Sequence, residues 1–257
     1  MDNLKSDFLL NPDIIYLNHG SFGACPKPVF EVYQALQREL EHQPVEFLGR
    51  RAEEYLAVSR MALADSLGVS AEELVYFTNP TTAANMIARS LDLRQGDEVL
   101  ATNHEYGAMD RIWRYIGLKS GAKYRQQTIT LPLSRPAEII EHFFSGLSAR
   151  TKVVFISHIT SPTALIFPVK EICHQARQAG LVSIVDGAHA PGQIPLDLSD
   201  VGADLYVGAC HKWLCAPKGA AFLYARHDIQ PRLEPLVVSW GFESEKPSGS
   251  QFIDYHE

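Results

Sequence analysis

The residues best placed to do chemistry together are Asp186 and Lys212. Asp186 closes the apolar, β-branched run Leu181 to Val185, which reads as a buried parallel strand. The carboxyl ends of such strands are where open α/β sheets hold ligands. Lys212, with His211 beside it, follows a second apolar run, Leu205 to Gly208, and Gly219 to Ala225 reads as a third strand. Either residue alone is commonplace: an Asp ending a strand often only caps a helix, and a Lys after a strand is usually a solvated charge. A carboxylate on one strand end with a lysine on a nearby one is, however, what pyridoxal 5'-phosphate (PLP) requires. The carboxylate keeps the pyridine nitrogen protonated, which makes the ring an electron sink, and the amine carries the cofactor as a Schiff base. Lys212 is then also the natural base for a proton on a substrate Cα. The competing Lys218 follows a proline and precedes a strand, so it reads as a turn residue.

The whole-chain properties narrow the setting. At 257 residues the chain can bury a sizeable core as one large α/β domain. A net charge of −7 and the lack of any basic run argue against a nucleic-acid partner. Cys25, Cys173, Cys210 and Cys215 form no CxxC pair and suit a reduced compartment. The N-terminus is acidic without an apolar signal core, and no apolar run approaches a membrane span, so the expectation is cytoplasmic with no membrane partner. No GxGxxG follows a strand, and neither a Walker lysine motif nor a metal-spaced cluster is present. A nucleotide-binding Rossmann reading therefore has little support, and no metal ligand is assigned.

The elements that must position the pair can be read in order. Ile14 to Asn18 is a strand-like run feeding the loop NHGSFGACPKP. Pro28 to Leu40 carries Val29, Val32, Tyr33, Leu36 and Leu40 at helical spacing, which predicts a packing face. Phe47 to Leu67 reads as a second helix closed by Gly68. After a strand at Leu74 to Phe77, Thr81 and Thr82 open a helix running to Leu91. Free backbone N–H groups and two hydroxyls there could seat a phosphate, although Thr as an ordinary N-cap is as common. Gly96 to Thr102 is a strand, followed by the loop NHEYGAM and a helix through Trp113. Lys123 to Thr130 is a further strand, and Ala137 to Leu147 a helix with Ile139, Ile140, Phe143 and Phe144 inward. Lys152 to His158 is a buried strand ending in HITSPTALIFP. A helix starts at Pro168 and stops at Gly180, with Cys173 as buried filler and His174 on the surface. After Leu236 the sequence is polar, Gly/Ser-containing and loop-like.

DGAHAPG and GACHKW at this spacing resemble the core signature of the class V (cysteine desulfurase-like) aminotransferases. YLNHGSFGACP resembles the N-terminal active-site loop of their isopenicillin N epimerase-like branch. The resemblance implies the large domain of a fold type I PLP enzyme: an α/β fold of three layers, with a mostly parallel seven-stranded sheet and helices on both faces. It puts Asp186 on the pyridine nitrogen, Lys212 on the cofactor aldehyde, and His189 on the phenolic oxygen or beneath the ring, where desulfurases use Gln. Thr81, Thr82 and His211 would hold the phosphate, with Thr82 the favoured side-chain ligand; Ala209 stands where many relatives carry a phosphate-binding Ser. Tyr106 would stack on the ring where desulfurases carry a His, but it cannot perform that His's acid/base role. Ser161 would reach the phenolic oxygen where desulfurases place an Asn. Asn18, His19 and Gly20 would border the substrate pocket, with His104 and Glu105 nearby.

The implied activity is chemistry at the Cα of a small amino-acid substrate, either epimerisation or elimination with C–S or other β-bond cleavage. A cysteine desulfurase-like activity is a further alternative. Such enzymes ordinarily continue into a smaller C-terminal domain that supplies an arginine for the substrate carboxylate. The expected organisation is thus an arm and active-site loop over 1–25 and a PLP-binding large domain over 26–257, with the small domain absent. A PLP-binding or dimerisation module without turnover is therefore the alternative from a different class. In this fold type the site lies at a dimer interface, so a homodimer is expected.

Overall fold

The computed structural model describes residues 4–132 and 135–257. Its centre is a seven-stranded sheet built from β1 (Leu74–Phe77), β2 (Glu98–Thr102), β3 (Lys123–Gln127), β4 (Thr151–Ser157), β5 (Val182–Gly187), β6 (Leu205–Ala209) and β7 (Ala221–Ala225). The spatial order is β1-β7-β6-β5-β4-β2-β3, and every neighbouring pair is parallel except those involving β7. The central strands are apolar on both faces because helices cover both. Along β4, Val153 and Phe155 enter one core while Val154 and Ile156 enter the other, the two-residue alternation of a pleated strand.

The helices are α1 (His19–Phe22), α2 (Lys27–His42), α3 (Pro44–Glu46), α4 (Ala52–Leu67), α5 (Pro80–Ser90), α6 (Gly107–Ser120), α7 (Pro136–Phe144), α8 (Val169–Gln178), α9 (Leu198–Val201) and α10 (Gln251–His256). Residues of α4, α7, α8 and α9 pack in the core on one face of the sheet. Those of α5, α6 and α10 pack in the core on the other. Helix ends follow local chemistry. Asn79 caps α5 by accepting from the Thr82 N–H, and Gly68 takes the left-handed conformation that ends α4. Cys173 is buried and His174 exposed, as the sequence led us to expect.

Four expectations need correction. Ile14 to Asn18 is not a strand: the turn at Asn11–Asp13 leads into irregular chain, and Ile15 is 84% exposed with no neighbouring strand among the described residues to pair with. The arm is instead tied down by an isolated bridge between Phe8 and Pro26. The helix over α2 forms, yet none of its residues is buried: Val29 and Val32 are exposed, and Tyr33, Leu36 and Leu40 are only half-buried. The tail beyond Leu236 is not loop throughout. Helix α10 docks against β1, burying Phe252, and Glu257 forms a buried ion pair with Arg60 while accepting the Tyr76 N–H of that edge strand at 2.7 Å. The second helix also begins later than expected, after a wider π-helical turn at Phe47–Arg51.

Candidate active site

Strand direction brings the chemistry together. β1 and β6 both lie antiparallel to β7, so they run parallel to one another and to β5, β4 and β2. The carboxyl ends of β2, β4, β5 and β6, and the turn from β1 into α5, therefore open on one edge of the sheet. Asp186 arrives on β5, Lys212 and His211 follow β6, Ser157 ends β4, and Thr81 stands in the first turn of α5. These residues line one cavity of about 170 Å³ together with Tyr106, Ser161, His189, and Ser21 and Phe22 of the arm. A larger cavity of about 920 Å³ lies between α4 and the tail. The buried charges on its wall, Arg60 and Glu257, are closed on each other, so size does not mark the chemistry.

Asp186 is buried, and its Oδ1 accepts the Ala188 N–H at 3.0 Å. Its Oδ2 has no hydrogen-bond partner among the described residues. Burial pushes the carboxyl above its ordinary range, against the pull of that N–H and of Lys212. Burial also holds the Lys212 amine below its ordinary range, with Asp186 opposing. Both groups are thus drawn toward neutrality by the loss of water. Lys212 Nζ lies 3.2 Å from His189 Nε2, and the Trp213 indole N–H donates to His189 Nδ1 at 3.3 Å. Desolvation first, then the Lys212 charge, lowers the His189 pKa to about 4, so the ring is neutral at pH 7.

The arm braces this group. Gly23 has a positive φ of 65°, and a Cβ there would fall 2.0 Å from the His211 carbonyl oxygen, so only glycine lets the arm approach the Lys212 turn so closely. His19 stacks on Trp213 with ring centroids 6.0 Å apart. Asn18 accepts the Ser21 N–H and thereby caps α1. A Cβ on Gly20 would come 3.3 Å from both His189 and Trp213. The arm residues on the cavity wall are Ser21 and Phe22, while Asn18, His19 and Gly20 sit behind it.

At the phosphate seat the two threonines part. Thr81 faces the cavity, whereas the N–H and hydroxyl of Thr82 both donate to Asn79 Oδ1, at 2.8 and 3.1 Å. His211 donates from Nδ1 to the Ala220 carbonyl at 2.8 Å, which leaves Nε2 as its ring nitrogen for a ligand. Lys218 is exposed, in keeping with a turn residue.

Beneath the cavity, Glu105 bridges two strand ends. It accepts from the hydroxyls of Thr102 and Ser157 at 2.5 and 2.6 Å and from their N–H groups at 3.3 and 2.8 Å. Burial lifts its pKa to about 7 despite those donors. His104 points elsewhere, donating to the Ile129 carbonyl at 2.7 Å. Sequence reasoning missed Ser157, Met109, Ser21 and Phe22 as cavity wall and gave Trp213 no role. For Trp213 the available signal was an indole immediately after the lysine. Among the described residues no cluster of His, Cys, Asp or Glu could hold a metal ion, and no helix is long and apolar enough to cross a membrane.

A sheet of this order, with helices on both faces and a buried acid and a half-buried lysine at one edge, has the α/β architecture of the fold type I PLP-dependent transferases. Residues 15–252 match the family model for aminotransferase class V, and the chain belongs to that family. It is 37% identical over 248 residues to an isopenicillin N epimerase of Streptomyces clavuligerus, covering 96% of this chain and 62% of the relative. It is 33% identical to a putative L-cysteine desulfhydrase of Oryza sativa subsp. japonica, over 92% of this chain and 53% of that protein. Among solved structures it resembles a lysine-to-alanine mutant of C-DES with glycine covalently linked to the PLP cofactor. That match has a TM-score of 0.84 and 27% identity, over 96% of this chain and 68% of that one. The chain thus spans somewhat over half the length of the curated relatives it matches.

Proposed function

We propose that this chain is the cofactor-bearing part of a PLP-dependent enzyme that works on the Cα of a small amino acid, by epimerisation or by elimination with C–S cleavage. One observation carries the reading: Asp186, Lys212 and His189 line a single cavity at the carboxyl edge of the sheet, the acid buried and the amine half-buried. The residues fit the cofactor. Asp186 has an oxygen without a partner for the pyridine nitrogen, Lys212 offers the amine for the aldehyde, and His189 a neutral ring for the phenolic side. Thr81, His211 and the N–H groups at the start of α5 suit a phosphate, with Thr82 supporting them through Asn79. Tyr106 and Ser161 complete the wall.

Once bound, PLP supplies an electron sink that lowers the energy of negative charge on the substrate Cα. The chain's own residues do the rest. Burial holds Lys212 toward its neutral form, so Nζ can take the Cα proton without first losing one of its own. His189 Nε2 stands 3.2 Å away and hydrogen-bonds that amine. Elimination needs only this one base and a leaving group on the side chain. Epimerisation also needs a proton donor on the opposite face. The L-cysteine desulfhydrase relative supports the first outcome and the isopenicillin N epimerase relative the second. A homodimer in the cytoplasm completes the proposal.

The test is to incubate the purified chain with PLP, reduce with borohydride and map the pyridoxyl group by peptide mass spectrometry. Labelling on Lys212, abolished in Lys212→Ala, is the expected result. Labelling on Lys218, or none, would overturn the assignment. Solvent-deuterium exchange at Cα, followed by NMR over a set of amino acids, then separates binding alone from turnover.

A further inference from the structure

We propose that Trp213 is a positioning residue, whose indole N–H fixes the tautomer of His189 and through it holds the Lys212 amine as a hydrogen-bond acceptor. The logic is one of donor counting. An indole nitrogen can only donate, so Nδ1 of His189, 3.3 Å from Trp213 Nε1, must accept. A neutral imidazole that accepts at Nδ1 carries its proton on Nε2. That N–H faces Lys212 Nζ at 3.2 Å, and only an uncharged amine can accept it. An ammonium on Lys212 would need Nε2 as an acceptor as well, leaving the imidazole no proton at all. An imidazolium at position 189 would set an N–H against the indole N–H. Trp213 therefore selects neutral His189 together with free-base Lys212, the form in which the amine can attack an aldehyde or take a proton.

The geometry is held from two sides. His19 stacks on the indole, and the absent side chain of Gly20 lets the arm close over both rings. The other titratable groups beside the relay are Asp186, which favours a charged Lys212, and His211, the neighbour of Lys212 in the sequence. The use of the relay rests on the PLP reading, but the tautomer itself does not, and the two fail separately.

The experiment is long-range ¹H–¹⁵N NMR on the chain labelled with ¹⁵N-histidine, without PLP, with His189 assigned by its loss in His189→Gln. The wild type should show Nδ1 unprotonated and Nε2 protonated. Trp213→Phe keeps the ring and removes the donor, so His189 should move to a mixture or to the Nδ1–H form while the other histidines stay put. In the same variant the neutral fraction of Lys212, read from the pH profile of its modification by trinitrobenzenesulfonate, should fall about 2- to 10-fold at pH 7, the range of one lost neutral hydrogen bond. Trp213→His, whose ring can still donate, should restore part of both effects. A wild-type Nδ1–H tautomer, or a Phe variant that leaves tautomer and pH profile unchanged, would overturn the proposal. Failure of PLP to label Lys212 would instead count against the cofactor reading.

Discussion

Replacing Glu105 with Gln tests whether the carboxyl edge of the sheet is tied together by a buried acid. Glu105 is only 5% exposed and accepts four hydrogen bonds, two from the end of β2 and two from the end of β4. Burial raises its pKa from 4.5 to about 7. A carboxyl whose folded pKa lies above its unfolded value keeps its proton in the native state while the unfolded chain has released it. Its stabilising effect is therefore complete below about pH 4.5 and is lost as pH rises toward 7, by roughly 3 kcal/mol. Gln is a neutral mimic that removes this slope. It brings a cost of its own, because an NH₂ group cannot accept a backbone N–H, whereas the oxygen of a protonated carboxyl can. One of the Thr102 and Ser157 amides is left unpaired, at about 1–3 kcal/mol.

The two effects give a crossing pattern. At pH 5 the variant should be less stable by about 1–3 kcal/mol, the cost of the unpaired amide. At pH 8 the wild type carries the ionised carboxylate and has given up roughly 3 kcal/mol, so the two should be equal or the variant the more stable by up to about 2 kcal/mol. Urea unfolding at the two pH values reads both numbers. Asp186, His158 and His189 also titrate abnormally, but they are present in both proteins and cancel in the difference, apart from the coupling of Asp186 to Glu105. Parallel pH dependence in wild type and Glu105→Gln would refute the reasoning, since the slope would then belong to other groups.

Two further outcomes follow from the same geometry. Asp186→Asn replaces the carboxylate with an amide that cannot hold a pyridinium proton, and the loss of a charge-assisted bond of about 1.5–3 kcal/mol predicts PLP affinity weaker by roughly 10- to 150-fold, checked by equilibrium absorbance titration. Arg60→Ala removes one member of a buried pair whose side chains are 9% and 10% exposed. A trapped carboxylate would cost about 3–5 kcal/mol, but the tail bearing Glu257 can swing into water, so we expect about 1–3 kcal/mol by urea unfolding, with faster amide exchange at Tyr76.

The parts of this protein that could be read from its sequence are those in which local pattern and global fold demand the same thing. The run Leu181 to Val185 has to be buried on both faces, and Asp186 has to sit at its end. The short run before His211 and Lys212 behaves likewise, and chain direction alone then places acid and amine on one edge. The α2 prediction failed differently. Helical spacing of Val29, Val32 and Tyr33 does produce a helix, but periodicity says which side is apolar and not what covers it. At Ile14 to Asn18 the apolar run suggested a strand, but a strand needs a partner, and none lies alongside among the described residues.

The site was legible for residues whose role is intrinsic to their chemistry, and obscure for those whose role comes from a neighbour. A lysine amine and a carboxylate announce themselves by type. Thr82 and Thr81 are the same type at adjacent positions, and what separates them is Asn79, whose side-chain oxygen takes both donors of Thr82 and leaves Thr81 to the cavity. Trp213 is the sharper case. In the sequence it is an apolar residue after a lysine, and in the structure its one polar atom decides which nitrogen of His189 carries the proton. That decision depends on a contact between a loop after β6 and a turn after β5, which parallel pairing of the two strands creates. No residue pattern within either segment encodes it. The acid and the amine follow from composition at two positions, but the protonation state in which they meet follows from the fold.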